Sequence, residues 1–189
     1  DKMAIVDISV EQSGLTSLDY VNTVLFNFPG KAVTAVRRAG IRAGSAGKTE
    51  AKKYASRIFN ITPRQFSKNT ATTVSVKGGS GGATKVTIRY AGAALDLLEF
   101  SPEISKTDGV KFQTRRGKEI HLRHAFDIAK YGGHVYERVG KPRFPVRQDF
   151  GPSTPYMLRD GDVKIPLGDK IMEKFNERLT YEIGRILGK

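Results

Sequence analysis

The stretch TTVSVKGGSGGATKVTIRY, residues 72–90, decides how the chain reads. Thr72–Lys77 and Lys85–Tyr90 both alternate in side-chain character with the period of two expected of strands that bury one face. Between them, Gly78-Gly79-Ser80-Gly81-Gly82 has the composition of a flexible hairpin loop. The period lengthens upstream. From Leu15 to Ile61, apolar residues fall at helical spacing: Leu18, Val21, Val24, Leu25 and Phe28, then Ala32, Val33 and Val36, then Tyr54, Ala55 and Ile58. This predicts one helix, a step at Pro29-Gly30 and a second helix, with Gly44 and Gly47 as points of interruption. Thr62-Pro63 reads as an N-cap followed by proline at the first helical position, opening a short helix to about Lys68. Ile5–Val10 alternates and predicts a first strand.

Downstream, Val110–Thr114 predicts a further strand, with Arg115-Arg116-Gly117 turning the chain. Glu119–Lys130 places Ile120, Leu122, His124, Phe126 and Ile128 on one strand face, and Gly132-Gly133 predicts a tight two-residue turn into His134–Val139. Five of the eight prolines lie in residues 140–168, predicting an extended, irregular arm. From Asp169, the spacing of Ile171, Phe175, Leu179, Ile183, Ile186 and Leu187 predicts an amphipathic helix. Segregated rather than alternating elements make this an α+β chain: N-terminal basic helices, an antiparallel β-meander with hairpins, and a C-terminal amphipathic helix. The expected organisation is one domain over 1–189. It comprises a strand and basic helices (1–69), an antiparallel region (70–139), a proline-rich arm (140–168) and a helix (169–189).

The 189 residues suffice for one sizeable core. No cysteine is present, which removes disulfides, Fe–S clusters, thiolate zinc sites and thiol catalysis. No apolar run reaches the ~18 residues of a membrane span, so the expectation is a soluble protein made in cytoplasm, with no membrane partner. The net charge of +13 is unevenly spread. Residues 31–77 carry eleven bases against Glu50 alone, and residues 111–147 carry ten bases against three acids. The remaining blocks are neutral or acidic.

Chemical motifs are few. Gly44-Ser45-Ala46-Gly47-Lys48-Thr49 imitates part of a phosphate loop, but Arg42 stands where the first glycine belongs and no strand precedes it. His121 and His124, three apart in a predicted strand, point to opposite faces, with His124 on the apolar one. Asp149-Phe150-Gly151 lacks the other parts of a kinase site. Asp160-Gly161-Asp162 reads as a polar turn rather than a cation loop. No catalytic, metal-binding or cofactor-binding residue is assigned, and no enzyme is expected. The basic helical block of residues 31–68 is the candidate for contact with DNA or an acidic partner, through Arg37, Arg38, Arg42, Lys48, Lys52, Lys53 and Arg57. Nonspecific nucleic-acid binding through this face is therefore one functional reading.

A second reading comes from residues 134–157, HVYERVGKPRFPVRQDFGPSTPYM. A strand ending in R-x-G-K-x-R, then P-V, then G-P-S-x-P resembles the minor tail protein Z family of phages and prophages with long non-contractile tails. Supporting similarities are the length, the basic helices followed by ITPRQFSKN, and the segment Leu95–Pro102. The resemblance implies a tail-completion protein of the virion, assembled in host cytoplasm and acting at the head-proximal end of the tail. Its partners would be copies of itself in a homohexameric ring, adjoining tail-tube, tail-terminator or neck proteins, and double-stranded DNA in the lumen. Arg138, Gly140, Lys141, Arg143 and Pro145 are the expected partner or intersubunit contact.

Overall fold

A computed structural model describes residues 3–11, 29–78, 84–128 and 132–188. The fold is α+β. Strands β1 (Ala4–Glu11), β2 (Ala71–Gly78) and β3 (Thr84–Gly92) form one sheet in the order β1-β3-β2. The alternation read from residues 72–90 thus yields neighbouring strands; residues 79–82 of the glycine loop with Ala83, and the helix expected before Pro29, lie outside the described residues. The chain groups into two compact units, Val6–Ala51 with Thr72–Tyr90 and Lys164–Lys189, and Asp1–Ile5 with Lys52–Ala71 and Ala91–Val163.

Helix α1 (Pro29–Ile58) runs without a break through Gly44 and Gly47, correcting the expected interruption. Ala35, Ala39, Ala43, Gly47, Ala51 and Ala55 recur every fourth residue and are all buried. Small residues let neighbouring elements approach the helix backbone closely. A Cβ on Gly47 would stand 2.9 Å from Ile171 Cγ1 and from Ile88 Cδ1, and one on Gly44 would collide with both methyls of Val74. Glycine here serves close packing, at roughly 1 kcal/mol of lost helix propensity per residue.

Helix α4 (Gly161–Ile186) starts eight residues earlier than the Asp169 expected and contains Pro166. Its buried stripe is Leu167, Ile171, Phe175, Leu179 and Glu182. Gly47 meets Ile171 while Arg38 meets Glu182, so numbering rises along one helix as it falls along the other and the two run antiparallel. Glu182 is 1% exposed and lies among Arg178 (3.0 Å), Arg185 (3.1 Å) and Arg38 (3.6 Å). Those cations make a buried carboxylate tolerable. At the sheet, Arg89 donates two hydrogen bonds to Asp7, at 2.8 and 2.9 Å, holding that carboxyl below the usual range.

In the second unit, helix α2 (Pro63–Lys68) opens as the sequence predicts. The Thr62 hydroxyl accepts from Gln65 N, and Gln65 Oε1 accepts from Thr62 N. Strands β5 (Glu103–Ser105), β6 (Gly109–Arg115) and β7 (Lys118–Leu122) form an antiparallel meander, as do β8 (Phe126–Asp127), β9 (Val135–Arg138) and β10 (Val146–Gln148). The segment Glu119–Lys130 is therefore not one strand. It turns at Arg123-His124, which leaves His124 exposed instead of on an apolar face. Asp127 pairs with Val135, so the β8–β9 connection spans residues 128–134 rather than two residues. Gly132 and Gly133 nevertheless take the positive φ angles, 85° and 75°, for which glycine suits a turn.

The proline-rich segment is more regular than expected. Besides β10, it holds β11 (Phe150–Gly151), paired with β4 (Leu95–Asp96), helix α3 (Thr154–Met157) and the start of α4. Pro155 occupies the first turn of α3, where a missing N–H removes no helical bond.

Candidate interaction surface

The segment from His134 to Met157 splits into an anchored half and a presented half. The G-P-S-x-P part is anchored. Gly151 leaves room for the Phe100 ring, which a Cβ would strike. Ser153 caps α3 by accepting from Tyr156 N at 3.3 Å, and the buried Thr154 hydroxyl donates to Asn69 O at 3.2 Å and meets the Thr70 hydroxyl at 2.6 Å. Ser153 and Thr154 are buried, and these contacts hold the fold.

The R-x-G-K-x-R part is presented. Val146 pairs with Arg138, and Val139 N donates to Pro145 O at 3.1 Å, so residues 139–145 leave the sheet as a closed loop between β9 and β10. Arg138, Gly140, Lys141, Arg143 and Pro145 are all exposed, as are Val139 (65%) and Phe144 (54%). The guanidinium of Arg138 lies 5.6 Å from the Phe126 ring centre and that of Arg143 lies 5.9 Å from that of Phe144. Arg147, by contrast, is held by Glu137 at 3.4 Å and Asp149 at 3.6 Å. Burial, then the neighbouring Glu137, pushes the Asp149 carboxyl up.

The helical bases are more dispersed than one face would require. At ~100° per residue, Arg38 and Arg42 fall on one flank of the alanine stripe, Lys48 and Lys52 on the other, and Arg37, Lys53 and Arg57 behind it. Lys52 is half-buried and the other six are exposed. Arg38 is engaged with Glu182, and Arg57 lies over the Tyr54 ring at 5.5 Å. Gly44–Thr49 is helix interior and offers no phosphate loop.

Two further bases have roles with no local signal in the sequence. Arg116 N donates to Ile58 O and Arg116 Nε to Ser56 O, closing the C-terminus of α1. Arg115 pairs with both Asp160 and Asp162 at the start of α4, which turns Asp160-Gly161-Asp162 into a helix cap with a cationic clamp. His121 faces Asp108, His134 faces Asp96, and His124 is exposed. Among the described residues no three His, Asp or Glu side chains gather as a metal site, and no helix is long and apolar enough to cross a membrane.

No family model, curated protein or solved structure matches this chain.

Proposed function

We propose that the protein is a structural phage tail protein of the minor tail, tail-completion type. It acts at the head-proximal end of the tail, where it assembles as a homohexameric ring and contributes to joining head and tail. The observation that carries this reading is the 139–145 loop, which lifts two large apolar side chains, Val139 and Phe144, out among Arg138, Lys141 and Arg143. Exposed aromatic and arginine side chains are what the centres of protein interfaces favour. The G-P-S-x-P half supports it too, because its anchoring fixes where the loop emerges. Copies of the chain and adjoining tail-tube, terminator or neck proteins are the proposed partners.

The variant Arg138→Gln/Lys141→Gln/Arg143→Gln tests this. Its melting temperature stays close to that of the parent, since exposed substitutions away from caps and core change stability by about 0.5 kcal/mol or less. Tail completion in a complementation assay fails. Normal tails from the triple variant overturn the assignment of the loop.

Nonspecific nucleic-acid binding remains the second reading, favoured by the exposure of Arg37, Arg42 and Lys48 on α1. It requires log affinity for duplex to fall linearly with log salt concentration. Reversal of Arg37, Arg42 and Lys48 to Glu, which leaves the Arg38 contact with Glu182 in place, would then abolish binding.

A further inference from the structure

Three turns that are far apart in sequence converge on one basic hollow in the second unit. The β5–β6 turn brings Lys106 and Thr107, the β7–β8 turn brings Arg123 and His124, and the exit from β9 brings Arg138, Gly140 and Lys141. The hollow is a half-open depression of about 470 Å³, within the roughly 300–1,000 Å³ of small-molecule sites. Its lining contains four formal positive charges and no carboxylate. Asp108, adjacent in sequence to Thr107, is taken up by Lys111 at 2.5 Å and by His121 at 3.4 Å. Glu137, next to Arg138, is taken up by Arg147. Asp108 pairs first with Lys111 and reaches Arg123 only as a weaker electrostatic neighbour, and Arg138 lies over the Phe126 ring, so the hollow is lined by four cations with no carboxylate of its own.

We propose that this hollow is a binding site for a compact, multiply charged phosphate anion of the diphosphate or triphosphate class. A single carboxylate would neutralise one of four charges, whereas a chain of phosphates matches several at once. Arg123 and Arg138 supply the planar forks that grip phosphate oxygens in pairs, and Lys106 and Lys141 supply point charges that adapt to their spacing. Thr107 adds a hydroxyl, which lies 3.3 Å from that of Ser105. The inference stands on the hollow itself and does not rest on the tail-assembly reading.

The test is calorimetric titration of the full chain with inorganic tripolyphosphate at low salt, with orthophosphate and citrate as parallel arms. Saturable one-to-one binding is expected, tighter for tripolyphosphate than for either of the others. Lys106→Gln/Arg123→Gln weakens it tenfold or more, while Arg37→Gln/Arg42→Gln, which removes the same charge from α1, changes it less than twofold. Amide shifts on binding should centre on residues 106–109, 123–126 and 138–141. Absence of saturation, equal weakening by the α1 variant, or citrate binding as tightly as tripolyphosphate would each overturn the proposal. Lys106 and Arg123 lie outside the 139–145 loop, so failure here leaves the complementation test of that loop intact.

Discussion

Arg115, the last residue of β6, and Arg116, the first of the β6–β7 turn, sit side by side and hold the ends of two different helices. Arg116 closes the carbonyl end of α1, and Arg115 clamps the two aspartates that open α4. Each charge is of the sign that the helix terminus favours: cation at the C-terminus, anions at the N-terminus. Asp160 does double duty, because its Oδ1 also accepts from Asp162 N at 3.0 Å. Asp160→Ala should therefore destabilise the protein by about 1–2 kcal/mol through loss of the cap alone, with the clamp lost in addition. Asp160→Asn keeps a competent cap and loses only the charge, so its midpoint in denaturant should lie between those of the Asp160→Ala variant and the parent. Equal losses for the two substitutions would show that the cap contributes nothing.

The contact of Gly44 with Val74 gives the clearest packing test. Alanine normally gains about 1 kcal/mol over glycine in a helix. Here the added Cβ would meet Val74, a β-branched side chain with little rotamer freedom. Gly44→Ala should instead destabilise by about 1–3 kcal/mol, and Val74→Ala in the same chain should recover part of that loss. Gly30→Ala, where the new methyl would meet no atom within 4 Å among the described residues beyond its own helix turn, is the control and should not destabilise.

These two sites show what is legible in the sequence. Alternation at 72–77 and 85–90 announces two neighbouring strands, and Thr62-Pro63 announces a helix start, because periodicity and capping are written within a few residues of where they act. Gly44 and Gly47 are ambiguous by the same measure. A glycine that breaks a helix and one that admits Val74 or Ile171 look alike until the partner is in place. Arg115 and Arg116 read only as a turn, since their partners lie about 45 and 60 residues away. The basic hollow is invisible for the same reason, being assembled from three turns, whereas the 138–145 motif is legible because it is contiguous.

Asp149 carries the pH test. Burial raises its carboxyl above the ordinary range in the folded chain, so the folded state binds that proton more tightly than the unfolded one. Below the ordinary carboxyl range both states are protonated and the group is neutral to folding; as pH rises past the unfolded value, it becomes destabilising. Asp149→Asn should raise the melting temperature at pH 7 and leave it unchanged near pH 3. Asp7 has the opposite sign. Its depressed carboxyl makes the pair with Arg89 stabilising above the ordinary range, and that contribution disappears as pH falls through the folded value. Arg89→Gln should return Asp7 to ordinary titration by NMR.

Tyr90 is wholly buried, with no partner for its hydroxyl among the described residues, and burial drives its ionisation far above the usual range. Tyr90→Phe removes a desolvated polar group without opening a cavity. The variant should be as stable as the parent or more so. A loss above about 1 kcal/mol would reveal a hydrogen bond to water that the hydroxyl makes in the fold.

The tail-completion reading is tested most directly by electron microscopy of particles in which this chain carries a visible label. The predicted result is a closed ring of six copies at the head-proximal end of the tail, lost when Arg138, Lys141 and Arg143 are neutralised together. Label at the distal tip, or a chain that stays monomeric and absent from finished particles, would contradict it.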